Sequence, residues 1–337
     1  MNTSTLPDTP AQRKPAAGRA EQHSTRLLFL LAGFSAAAWA SLVPVAKAAT
    51  GVNEGQLGLV LLCLGIGSLL AMPVSGVVST RHGCRKVLMV CGVALCACLP
   101  LLASVQNVFT LAAALFFFGA MIGIFDCVMN IQAVIVERDS KRPLMSGFHG
   151  FFSLGGLLGA IMDLGVSPFA PGSGIALAGV LLLMTIRRHI LPYGNPAEGP
   201  PFALPRGEVL FLGMLCMTVF LVEGSMMDWS AVMLTENHGM PVAQAGYGFA
   251  AFSLTMTFGR LTGDRIVARV GRRRVVTVGG LLAMGGILLA TLVPLWQAAL
   301  LGYAMVGLGC SNIVPVLFTA VGRQTSMPQS VAVPAMS

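Results

Sequence analysis

Charge is what this sequence has least of. Only 10% of its 337 residues are Asp, Glu, Lys or Arg, against roughly 25% in a soluble domain. So few charges cannot tile a water-facing surface, so the medium around the chain is lipid. Cys-x-x-Cys spacing is also missing. Cys63, Cys91, Cys96, Cys98, Cys127, Cys216 and Cys310 lie in apolar stretches and Cys84 lies in a basic loop. They read as small packing residues rather than metal ligands or disulfide partners. There is no His-Glu-x-x-His, no Ser–His–Asp order and no phosphate loop, which argues against a membrane enzyme; no cofactor or metal is expected.

What is present is apolar: 55% of the residues, with a mean hydropathy of +0.80. A helix crossing a bilayer needs about 20 apolar residues. Ten stretches meet that need, at 26–48, 56–79, 86–105, 108–135, 146–166, 172–191, 208–235, 242–264, 274–294 and 296–321. The basic residues test this count. Twenty of the 21 lysines and arginines fall on one side of the resulting topology, and only Lys47 falls on the other. The positive-inside rule then makes the N-terminus cytoplasmic, in a bacterial inner membrane. The same clustering explains the net charge of +8 without nucleic acid, for which no zinc-finger spacing or aromatic–basic interleaving is seen. Residues 1–25 are polar and lack apolar periodicity, so a disordered cytoplasmic tail is expected. A signal peptide starting near Arg26 is the alternative, and the spans that follow at once count against it.

Small residues such as Gly155, Gly156 and Gly159, or Gly302, Gly307 and Gly309, let helix backbones approach closely. Pro44, Pro73, Pro100 and Pro315 lie in or at the ends of spans, where they kink helices. An internal repeat organises the chain. RHGCRKVLMVCG (81–92) returns as RVGRRRVVTVGG (269–280), so Arg81, Gly83, Arg85, Val87, Val90 and Gly92 recur 188 residues later. Spans two and three thus match spans eight and nine. The expected organisation is an all-α bundle of two six-helix repeats, the second incomplete. One half covers 26–191, a Pro- and Gly-rich cytoplasmic linker covers 192–207, and the second half covers 208–337. That half has four spans, and Met327–Ser337 reads as the start of an eleventh.

The repeated loop resembles motif A of the major facilitator superfamily, Gly-x-x-x-Asp-Arg-x-Gly-Arg-Arg. Gly76, Arg81, Gly83, Arg85 and Lys86 match it, with Thr80 in the Asp slot and Cys84 in a basic slot. In the second half Gly271 and Arg273 match; Ala268 takes the Asp slot, and Asp264 sits one turn earlier in GRLTGDR (259–265). DCVMN (126–130), RPLMSGFHGFFSLGG (142–156), EGSMMDWSAV (223–232) and NIVPVLF (312–318) are similar to the fucose-permease-like, YbjJ-type branch. The resemblance covers about residues 26–337. It implies a twelve-helix fold, so this chain looks truncated after its tenth helix. It also implies alternating access and, in fucose permease itself, sugar–proton symport. That permease carries an important Asp on its first helix where this chain has Ala40, so fucose is not supported. Its acid on helix four has a counterpart in Asp126.

Ionisable groups in a bilayer cost about 2.5–3.5 kcal/mol at a helix centre, so they mark sites. Four acids lie in spans: Asp126, Asp163, Glu223 and Asp228. Asp126 shares a helix face with Asn130, as a carboxylate that takes up and releases a proton would; the plainer reading is a helix–helix hydrogen bond. Glu223 is placed as a cavity residue. Asp228 either lines the cavity, caps the outer end of its helix or pairs with Lys47, and Trp229 either stacks on a sugar ring or anchors the helix at the interface. His149 either relays protons or packs. Asp163 reads as interfacial. Arg260, Asp264 and Arg265 read as an inner latch of ion pairs and helix-end charges. The resulting expectation is a monomeric secondary transporter in the lipid bilayer. It would move a small polar solute, sugar-like and coupled to protons. The rival readings are a transport-inactive truncated protein and a sensor with a transporter fold.

Overall fold

The computed structural model describes residues 17–162, 169–194 and 204–336. Its helices are α1 (Arg19–Thr50), α2 (Glu54–Ser104), α3 (Val108–Ser140), α4 (Met145–Met162), α5 (Phe169–Ile186), α6 (Glu208–Glu236), α7 (Tyr247–Val270), α8 (Arg272–Leu292), α9 (Trp296–Cys310), α10 (Ile313–Val321) and the short α11 (Gln329–Ala332). Among the described residues there is no strand. Six helical stretches among the described residues are long and apolar enough to cross a bilayer: Arg19–Thr50, Gly55–Ser104, Val108–Ser140, Glu208–Glu236, Arg272–Leu292 and Trp296–Val321. α7 falls short of that description because it carries Arg260, Asp264, Arg265 and Arg269.

α2 is 51 residues long, enough for two passes, and breaks at Gly83 (φ 79°, ψ 155°). α9 and α10 together make one pass, interrupted at Ser311 and Asn312. Pro315 is the physical cause: it has no N–H to offer the carbonyl four residues earlier. With α1, α3, α4, α5, α6, α7 and α8 this gives ten passes among the described residues, in the places the sequence indicates.

The 188-residue repeat extends to the backbone. Gly271, the counterpart of Gly83, adopts φ 86° and ψ 151°. α3 begins at Val108 and α9 at Trp296, again 188 apart. Within the first half α1 packs on α4 and α2 on α3 and α5; within the second, α7 and α8 pack on α9. These seams are close because they lack side chains. A Cβ on Gly33 would strike the Phe152 backbone, one on Gly155 the Leu30 backbone, and one on Gly309 the Gly279 backbone. In lipid, where apolar burial gives no preference for protein over solvent, such close contact is what holds helices together.

The tail is shorter than the sequence suggests. Residues 19–25 belong to α1. Their polar side chains are consumed in the fold: Gln132 donates to Thr25 Oγ1 (3.0 Å), Arg142 to Gln22 Oε1 (2.7 Å) and Gln22 to Ser140 Oγ (3.0 Å). Asp163 and most of the 192–207 segment lie outside the described residues.

Candidate functional site

The halves meet through α4 against α7, through α10 against α3 and α4, and through α11 against α2. The hydrogen bonds of this seam gather toward the arginine-bearing end. Glu137, at the end of α3, is buried. Its Oε2 accepts from the amides of Leu144 and Met145 at 2.8 Å each. Its Oε1 accepts from the hydroxyl of Thr319 on α10 at 2.6 Å. On the other side of the seam Asp264 Oδ1 accepts from the Gly147 amide at the start of α4, at 3.0 Å. Both carboxylates thus sit on amides of the first turn of α4, which lack partners within that helix and carry the positive end of its dipole. Gly147 is needed there, because a Cβ would meet the Asp264 carboxylate.

Deeper in the bundle, Arg260 on α7 forms an ion pair with Glu223 on α6 (Nη2–Oε1 3.0 Å). Its Nη1 donates across the seam to Ser153 Oγ on α4 at 2.9 Å. The side chain of Arg260 is 8% exposed and that of Glu223 23%, so the pair borders open space on the carboxylate side. On α3, Asn130 Nδ2 donates to the Asp126 carbonyl (3.0 Å) and, at 3.5 Å, to the Asp126 carboxylate. His149 on α4 lies between Phe29 of α1 (centroids 5.1 Å) and Phe318 of α10 (5.6 Å). Asn312, in the break before α10, donates to the Gly259 carbonyl at 3.0 Å.

Buried polar atoms are normally hydrogen-bonded. Among the described residues six side-chain atoms are buried without a partner, and four belong to this seam: Asn130 Oδ1, His149 Nε2, Arg260 Nε and Asn312 Oδ1. They mix acceptors with a donor.

The structure therefore joins Asp126 to Asn130, and Glu223 to Arg260. Asp228 and Trp229 are exposed on α6 and form no ion pair with these groups among the described residues. Of the groups read as a latch of ion pairs and helix-end charges, Asp264 accepts from the Gly147 amide at the start of α4, and the ion pair of Arg260 is with Glu223. Of the motif residues, Gly76 lies against the Ser330 backbone, Arg85 is tied to carbonyls after α5, and Arg81, Lys86, Arg265 and Arg273 are exposed. Glu137, Ser153, Asn312 and Thr319 were not singled out from sequence. Glu137 was passed over because it falls two residues beyond the fourth apolar stretch; the other three are neutral and carried no signal.

The sequence profile of the Major Facilitator Superfamily matches residues 27–233 and 211–330. An uncharacterised MFS-type transporter of Yersinia pestis is 50% identical over 322 residues, spanning 94% of this chain and 84% of that protein. The crystal structure of the Escherichia coli fucose:proton symporter superposes with a TM-score of 0.75 at 14% identity, covering 94% of this chain and 88% of that one. The same transporter in its outward conformation gives 0.74 at 15% identity, covering 94% and 89%. At such identities the likeness speaks for the fold, and with the profile and the Yersinia relative it leads to one conclusion. The chain belongs to the Major Facilitator Superfamily.

Proposed function

We propose that this protein is a proton-coupled secondary transporter that moves a small polar solute across the bacterial inner membrane by alternating access. One observation carries the reading. Where the two halves meet, an acid beside an amide on α3, an ion pair between α6 and α7, and four unpartnered buried polar atoms share one seam. Isolated polar groups at membrane depth are costly, so such a gathering is worth keeping where a solute or proton must pass.

In this reading the arginine-bearing end is cytoplasmic and is the closed end. The seam bonds of Glu137, Asp264 and Arg260 belong to the state open to the outside. Asp126 is the leading proton carrier. Glu223 and Arg260 form the floor of the cavity, with Arg260 tying that floor to Ser153 in the other half. Protonation of an acid in the seam weakens its hold on a neighbouring cation or amide, which couples proton uptake to the reopening of the closed end. The coupling named for the fucose:proton symporter supports the same class of reaction, while Ala40 counts against fucose itself as the solute.

The test begins with a panel of sugars and polyols screened by ligand-induced thermal shift on the detergent-purified chain. A hit is then followed in vesicles with and without a pH gradient. Gradient-driven uptake that is lost in Asp126→Asn, with exchange at equal pH retained, is the expected result. Full gradient-driven uptake by Asp126→Asn would take the proton-carrying role away from that residue.

A further inference from the structure

The first part of α2 and α3 touch through their backbones. A Cβ on Gly67 of α2 would strike the Phe116 backbone, and one on Gly119 of α3 the Leu64 backbone. One turn further along α3, a Cβ on Gly123 would lie 2.6 Å from Ser68 Oγ. Gly119, Gly123, Asp126 and Asn130 follow one another at steps of three or four residues, so they share one face of α3. Side chains on a helix lean toward its N-terminus, so the Asp126 carboxylate lies over the Gly123 turn, where Ser68 sits.

The oxygens on this face have bonding capacity to spare. On the same helix as Ser68, the hydroxyls of Ser75, Ser79 and Thr80 donate back to carbonyls one turn earlier, as hydroxyls inside helices do. Ser68 Oγ forms no hydrogen bond among the described residues and is turned toward α3 instead. Asn130 is 1% exposed. Its Nδ2 donates to Asp126, while its Oδ1 is buried without a partner. An ionised carboxylate offers about four lone-pair sites and can hold a cation beside its hydrogen bonds. Helix packing alone does not call for this set. At the positions 188 residues on, the second half carries Met256, Val314 and Phe318 in place of Ser68, Asp126 and Asn130.

We propose that Ser68, Asp126 and Asn130 bind a sodium ion between α2 and α3. The ligands are hard oxygens. Among the described residues no three His, Cys, Asp or Glu side chains gather to hold a metal ion, so the set does not suit zinc or copper. It carries one negative charge, because the other acid deep in the seam, Glu223, is paired with Arg260. A monovalent ion leaves the set neutral, whereas a divalent one would leave a net charge at membrane depth. Asp126 is half-buried, so water completes the coordination. The inference rests on the proposed transport site, and it makes sodium and the proton alternative occupants of one carboxylate.

The test is the melting temperature of the full chain in detergent, titrated with sodium, potassium or choline chloride at constant pH and ionic strength. A ligand held by the folded state raises that temperature. We expect a saturable rise with sodium alone. Ser68→Ala removes a hydroxyl that holds nothing else in the fold. It should keep the wild-type melting temperature in choline and need about tenfold more sodium for half-saturation. Asp126→Asn should abolish the response. Ser225→Ala, which removes a hydroxyl bonded within α6, should leave it unchanged. Equal melting temperatures in sodium and choline would overturn the proposal, as would an equal rise with potassium or a wild-type half-saturation in Ser68→Ala. Vesicle uptake separates the two readings. Gradient-driven uptake by a chain blind to sodium removes this site and leaves the proposed function standing; a sodium response without gradient-driven uptake does the reverse.

Discussion

Replacing Thr319 with valine keeps the shape of the side chain and removes one hydroxyl. In the described state that hydroxyl donates to Glu137 Oε1 at 2.6 Å across the seam. Glu137 is 5% exposed, so valine leaves a buried carboxylate oxygen without that donor, while Oε2 keeps its two amides. Such a loss costs about 1–3 kcal/mol. The cost falls on the closed arrangement alone, because separation of the halves lets water reach Glu137. Conversion at 298 K gives a shift of about 5- to 150-fold in the ratio of closed to open at the arginine-bearing end. Spin labels at Lys141→Cys and Arg323→Cys, both exposed at that end, report the separation by double electron–electron resonance. The background is favourable: among the native cysteines only Cys63 is partly accessible, and Cys63→Ser removes it. Thr319→Val should move population from the short-distance peak to a longer one. An unchanged distribution in a chain that still folds would refute the idea that Glu137 and Thr319 hold the halves together.

Three further outcomes follow from the same geometry. Gly83→Ala and Gly271→Ala both force a side chain into a region kept for glycine, at about 1–3 kcal/mol; only Gly83 also faces a backbone carbonyl, so Gly83→Ala should lower the melting temperature more. Glu223→Gln leaves Arg260 buried beside a neutral amide and should destabilise the protein by about 3–5 kcal/mol, whereas Glu223→Gln/Arg260→Met should recover part of that loss; thermal melts of both in the same detergent decide it. Burial, followed by the Asp139 carboxylate, pushes the Tyr193 phenol above its usual value. A phenol that resists ionisation in the fold contributes stability below about pH 10 and loses it as pH rises further. Melting temperatures across that range should fall less steeply in Tyr193→Phe.

The helices were legible where a local cause exists. The ten passes follow from the length of apolar stretches, the break before α10 from Pro315, and the turns at Gly83 and Gly271 from a spacing that recurs 188 residues apart. The site was only partly legible. Asp126 and Asn130 could be paired because four residues on a helix share a face. Glu223 and Arg260, 37 residues apart, could not be paired, because nothing in either segment states the angle at which α6 meets α7. Glu137 escaped notice because a charge at the end of an apolar stretch has the same appearance in sequence whether it faces water or two buried amides. The start of α1 was placed late for a related reason: Gln22, Ser24 and Thr25 are polar, and only the fold shows that Thr25 accepts from Gln132 of α3, Gln22 accepts from Arg142, and Ser24 donates to the His189 carbonyl after α5.

By itself the sequence determined the solvent, the number of passes, the repeat and the end on which the arginines lie. Each of these depends on short-range composition and on the cost of moving charge through hydrocarbon. The tertiary structure decided which polar groups meet across the seam and which of the two glycine turns is covered. Helices in lipid are apolar on every side, so their periodicity does not say which face turns inward. That choice rests on where glycines let backbones touch and on which buried donors and acceptors find each other.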